Sequence, residues 1–151
     1  MELHGWIAAT RLPIEILAAG LAVLPGLLLL RAWSSLPEEI PVHFGFSGRP
    51  DRWGGRWQAS LLPFTNLAIY ALLSHFSGAW SWLLGSQREL PTGWKLPVLM
   101  RLPIELLVTY VMWTVIGVAR NETEGLDRRV FFGLMLVWLA PGAAIWLLSH
   151  R

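Results

Sequence analysis

His43 has three acids close by in the chain, with Glu38 and Glu39 before it and Asp51 after it. An imidazole among carboxylates can ligate a metal, relay a proton or hold one fixed hydrogen bond. A structural or catalytic zinc site needs two or more His or Cys at set spacing, and this segment has one His and no Cys. The residue types therefore favour a hydrogen bond from His43 to Asp51 across the intervening turn, and no metal is expected.

A second constellation is a repeat. Arg11-Leu12-Pro13-Ile14-Glu15-Ile16-Leu17 returns as Arg101-Leu102-Pro103-Ile104-Glu105-Leu106-Leu107, differing only at Ile16 against Leu106. Arg and Glu four residues apart share one face of a helix. In one reading the heptapeptide opens a helix: Arg snorkels to the headgroups, Pro occupies the first turn and Glu faces the positive end of the dipole. In the other, Arg11, Glu15, Arg101 and Glu105 form charge pairs inside a membrane bundle, where acids are costly and often functional. Both repeats open odd-numbered spans, so they are expected on one side of the membrane and near each other.

The rest of the chain is oil. Of 151 residues 54% are hydrophobic and 15% charged, against roughly 25% charged in soluble domains. The apolar residues come in blocks long enough to cross about 30 Å of hydrocarbon. Spans are expected at about 12–31, 61–84, 97–119 and 130–149. Each should be helical, because backbone polar groups in lipid must be satisfied internally. The expected fold is an all-α integral membrane protein, a single domain over 1–151. It is a four-helix transmembrane bundle with a structured loop, 32–60, between helices 1 and 2. Pro25-Gly26 predicts a kink in the first span, and Trp80 and Trp82 suit an interface at the end of the second. His75 in that span is expected to bond between helices, while His4 and His150 are expected to be solvated. Met1 to Thr10 lacks the basic start of a cleavable signal peptide, so the first span is expected to be a retained anchor.

Within the loop, Ser35-x-x-Glu38 has the form of a capping box and Pro41 disfavours helix at Ile40. One helical turn is expected over 35–40, then an extended piece over 42–46 with Val42, Phe44 and Phe46 on one side. Ser47-Gly48-Arg49-Pro50-Asp51 is turn chemistry. Trp53 and Trp57 are expected to share a helical face at the headgroups, with Arg52 and Arg56 towards lipid phosphates. The loop as a whole should be a folded cap whose apolar side packs on the ends of the bundle.

The basic residues are seven on the side of the first loop (Arg31, Arg49, Arg52, Arg56, Arg120, Arg128, Arg129) against five on the other (Arg11, Arg88, Lys95, Arg101, Arg151). The positive-inside rule then leans towards a cytoplasmic first loop. The net charge of +2 and the scattered arginines give no nucleic-acid footprint. Nucleophile-elbow, zincin, Walker and Rossmann motifs are absent. Glu38/Glu39 and Glu122/Glu124 read as solvated acids. No catalytic residue and no cofactor is expected.

The ordered series Leu36-Pro37…Ile40-Pro41-Val42-His43-Phe44…Gly48…Pro50-Asp51-Arg52-Trp53-Gly54 resembles the signature of the N-terminal module of SdpI-type bacterial membrane proteins, a domain of unknown function. The resemblance covers roughly Ala22 to Leu73. Gly45 stands where the family often has Asn, and Arg56 where it usually has Lys. The second, C-terminal module of full immunity proteins has no counterpart here. The resemblance implies a multi-pass protein of the bacterial cytoplasmic membrane, with an immunity or signalling role. Pro37, Pro41, His43, Phe44, Gly48, Asp51 and Trp53 would then carry partner binding or the loop's structure. Three functions follow: a non-enzymatic membrane protein binding a protein partner through this loop, an accessory subunit packed in a larger membrane complex, or a small transporter using Glu15, Glu105, His43 and His75.

Overall fold

The computed structural model describes residues 2–76 and 95–149, and the side chains of 13–75 and 101–140. Among these residues there are four helices and one two-stranded sheet. The helices are α1 (Glu2–Ala32), α2 (Leu61–Phe76), α3 (Lys95–Ala119) and α4 (Arg128–Ser149). The sheet pairs β1 (Glu39–Phe44) with β2 (Pro50–Gly55), and short 3-10 turns at Trp33–Ser35 and Arg56–Ser60 flank it. Two stretches are long and apolar enough to cross a membrane, the 23 residues Pro13–Ser35 and the 19 residues Arg101–Ala119. The expected interfacial residues Trp80 and Trp82, and the link between the second and third spans, lie outside the described residues.

Helix α3 is the central rod. It packs against α1, α2, α4 and strand β1. The buried core is at the hairpin end, where Leu29 and Ala32 of α1 and Met112, Val115, Ile116 and Ala119 of α3 meet Leu36, Ile40 and Ala59 of the intervening segment. The cap thus packs its apolar residues onto the ends of two helices, as the sequence suggested. Full burial of one such aliphatic side chain is worth about 1.5–3 kcal/mol, so the cap is held by the same core that joins α1 to α3.

Several local expectations are corrected. The extended piece expected over 42–46 is strand β1 over Glu39–Phe44, and it pairs with an unexpected second strand in an antiparallel hairpin, so the chain is not all-α. Trp53 lies in β2 and Trp57 in the following 3-10 turn, so they do not share a helix. Pairing with Ile40 and Glu39 draws Gly54 and Gly55 into the ladder, a tertiary contact that overrides their low strand propensity. The helical turn comes earlier than expected, at Trp33–Ser35, and Leu36 is already extended. Ser35 is not an N-cap; its hydroxyl donates back to the Ala32 carbonyl at 2.7 Å.

The proline heptapeptides do not open helices either. Pro13 and Pro103 lie inside α1 and α3, which begin at Glu2 and Lys95. An interior proline removes a helical hydrogen bond, and neighbouring helices compensate for such losses in a membrane bundle. Arg101 is fully buried, which rules out snorkelling at that position.

Candidate functional site: the hairpin cap and the charge cluster beneath it

The hairpin has a bulge on each strand. The register runs Pro41↔Trp53, His43↔Arg52, Phe44↔Pro50, leaving Val42 and Asp51 as the extra residues. Bulges re-aim side chains, and here the bulged Asp51 meets His43. The Nδ1 of His43 lies 2.6 Å from Asp51 Oδ1, the bond expected across the turn. A carboxylate only accepts, so Nδ1 carries the proton and a neutral ring keeps Nε2 as its acceptor. Both side chains stay about half exposed.

The tip is tight. Gly45 N–H donates to Arg49 C=O and Gly48 N–H to Gly45 C=O, each at 2.9 Å. Gly48 has φ 81°, a left-handed conformation that glycine adopts without penalty. A Cβ there would also strike the Leu126 carbonyl. The close approach has a purpose, because Leu126 N–H donates to Gly48 C=O at 2.7 Å. The tip is thereby fastened to the α3–α4 link. Gly54 serves a similar need, since a Cβ there would meet the Gln58 amide and Val42.

The link itself is well made. Asn121, with φ 59°, ends α3. Its N–H donates to Val118 C=O at 3.0 Å and the next N–H, of Glu122, to Gly117 C=O at 2.8 Å, the paired bonds of a Schellman ending. Asp127 then caps α4, its carboxylate accepting from Arg129 N–H at 2.8 Å. The Tyr110 hydroxyl accepts from Asp127 N–H at 2.8 Å. Arg120 reaches back to Ser35 Oγ, at 3.0 Å from Nε and 2.5 Å from Nη2.

Between the hairpin and the start of α4 lies a cleft of about 600 Å³. Phe44, Phe46, Phe131, Phe132 and Met135 make its apolar walls, and His43, Asp51 and Arg128 its polar part. Phe46 at the tip is 95% exposed. Phe131 and Phe132 stand edge to face, with centroids 5.6 Å apart.

The motif residues thus divide in two. Ile40 and Pro41 are buried in the core and Gly48 is a fastening point. His43, Asp51, Trp53 and Pro37 are exposed and Phe44 half-buried, available to a partner. Arg56 stacks over the Trp33 ring at 5.3 Å. Among the described residues no group of three or more His, Cys, Asp or Glu is placed to hold a metal ion.

Below the cap, the repeat residues come together. Arg101 Nη1 pairs with Glu15 Oε2 of α1. Its Nη2 donates to the Leu73 carbonyl of α2 at 2.9 Å, and its guanidinium lies over the Tyr70 ring at 5.6 Å. Glu105, also fully buried, accepts from Asn66 Nδ2 at 2.6 Å, and the same amide donates to the Ala22 carbonyl at 3.1 Å. Two sets of polar contacts, one on Arg101 and one on Asn66, thus each join the same three helices. The side chain of Arg11 lies outside the described residues. Asn66 and Tyr70 were not singled out in the sequence, although a lone amide in an apolar span is a visible signal. His75 lies exposed in the last turn of α2. The phenylalanines of α4 gave no such signal, since an apolar span contains many.

Residues 20–67 match the family described as "Domain of unknown function (DUF1648)". That stretch runs from mid-α1 through the hairpin into α2, and it contains the whole His43–Trp53 motif and Asn66. A protein of Archaeoglobus fulgidus described as "Uncharacterized protein" is 50% identical over 34 residues, 22% of this chain. The match spans about a fifth of that relative's length, 19%. No solved structure matches the chain.

Proposed function

We propose that this chain is a non-enzymatic, four-span protein of the bacterial cytoplasmic membrane, of SdpI type, which binds a protein partner through its hairpin cap. The observation that carries this reading is the cleft between hairpin and α4. It presents aromatic walls, a preset His43–Asp51 pair and an outlying Phe46, on a backbone fastened at its tip. Preorganised aromatic anchors bind with little ordering cost. The partner would be a peptide toxin, a regulator or another membrane protein, in keeping with the immunity or signalling role that the family resemblance implies. The accessory-subunit reading draws on the exposed apolar faces of the helices, such as Leu136 and Val137 of α4, which suit lateral packing.

A photoreactive amino acid at Phe46 tests the reading. In native membranes it should crosslink one discrete partner, and Phe131→Ala should weaken the capture. A probe at Phe46 that captures no protein sinks the proposal.

A further inference from the structure

A second cavity, of about 490 Å³, lies between β1, the 3-10 turn after β2, α2 and α3. Its size falls within the range of about 300–1,000 Å³ typical of ligand pockets. Val42, Phe44, Leu61, Leu62, Val111 and Val115 give it an apolar lining. Its floor is the core itself, through Ile40, Ala59 and Met112. Arg52 is the one charged group in the lining. Among the described residues no acid lies within ion-pair distance of it. The cavity therefore couples an oily slot to a single uncompensated cation.

We propose that this cavity holds one anionic phospholipid, with an acyl chain in the slot and the headgroup phosphate on Arg52. Three features select a lipid over a soluble ligand. The wall runs on to the outer side of α2, where Leu61, Phe64 and Leu67 are exposed; on a membrane-spanning helix that side faces hydrocarbon, so an acyl chain enters from the bilayer without crossing water. Arg52 lies on β2 of the cap and is exposed while lining the cavity, so its guanidinium can meet a headgroup and water at once. Trp33, stacked with Arg56, and the exposed Trp57 lie on the same connecting segment, and such residues mark the level of lipid headgroups. A planar guanidinium matches phosphate oxygens in a two-pronged bond. The proposal rests on the membrane reading above but not on the protein partner.

Native mass spectrometry of the full chain, released from nanodiscs of equal phosphatidylglycerol and phosphatidylcholine, tests it. Wild type should retain one phosphatidylglycerol. Arg52→Gln should lower that preference about tenfold, because phosphatidylglycerol carries a net negative charge for the guanidinium to attract and zwitterionic phosphatidylcholine does not. Thr65→Trp, which fills the cavity from an exposed position of its wall, should release the lipid altogether. Arg129→Gln, at the start of α4 and outside the cavity, should retain it as wild type does. Equal retention of the two lipids by wild type, an equal loss with Arg129→Gln, or a lipid that survives Thr65→Trp each overturns the proposal. Failure of the membrane reading looks different: the chain would stay dispersed with neither lipid nor detergent.

Discussion

Arg101 is the residue on which the helical half of the protein turns. It joins Glu15 on α1, the Leu73 carbonyl on α2 and its own helix, with no exposed surface. Taking one partner from such a group leaves buried charge uncompensated, at a cost of about 3–5 kcal/mol. Arg101→Met is therefore expected to lower the thermal midpoint in detergent far more than the milder Glu105→Gln, whose amide can still accept from Asn66. The heptapeptide displayed the paired charges in the sequence. Which reading held for Arg101 was not legible there, because spacing fixes the helix face and says nothing of what that face meets.

At the tip, Gly48 answers to two constraints at once, a left-handed φ and the Leu126 carbonyl. Gly48→Ala should destabilise the cap by about 1–2 kcal/mol. The sharper readout is local: hydrogen exchange at the Leu126 amide, which donates to Gly48, should speed up before that of α3.

Among the elements, the hairpin was the hardest to read from sequence. His43, Asp51 and the turn between them were legible as a unit, because a short loop with Gly, Pro and Asp constrains itself. The second strand was not. Its residues Pro50 to Gly55 have poor strand propensity, and their conformation is set by β1 and by Gln58 packing against Gly54. The end of α3 is the reverse case, an element boundary written in local chemistry. Asn121 supplies the left-handed residue of the Schellman ending. Asn121→Gly should leave stability nearly unchanged, whereas Asn121→Val, with a branched side chain at φ above zero, should cost on the order of 1–2 kcal/mol. Thermal unfolding of the pair separates backbone strain from any loss of side-chain contacts.

For the molecule as a whole, the decisive quantity is the solvent. Leu30, Phe64, Trp113 and Leu136 are all more than half exposed on their helices, and under the proposed membrane reading these side chains lie in hydrocarbon. The chain has no cysteine, so single cysteines report on accessibility without background. In intact membranes Ser47→Cys at the hairpin tip should react with a charged maleimide from one side only, while Leu136→Cys should not react until the membrane is dissolved. Equal labelling of both positions would mean that water bathes the entire surface.

The two fastenings of the cap have a mechanical consequence. The loop is tied down near its start through Ser35 to Arg120, and at its tip through Gly48 to Leu126, and both anchors belong to the stretch where α3 gives way to α4. A tug at Phe46 is therefore not absorbed by slack in a floppy tether. It is delivered to the joint between two rods, so a docked molecule gains leverage on how those rods lean.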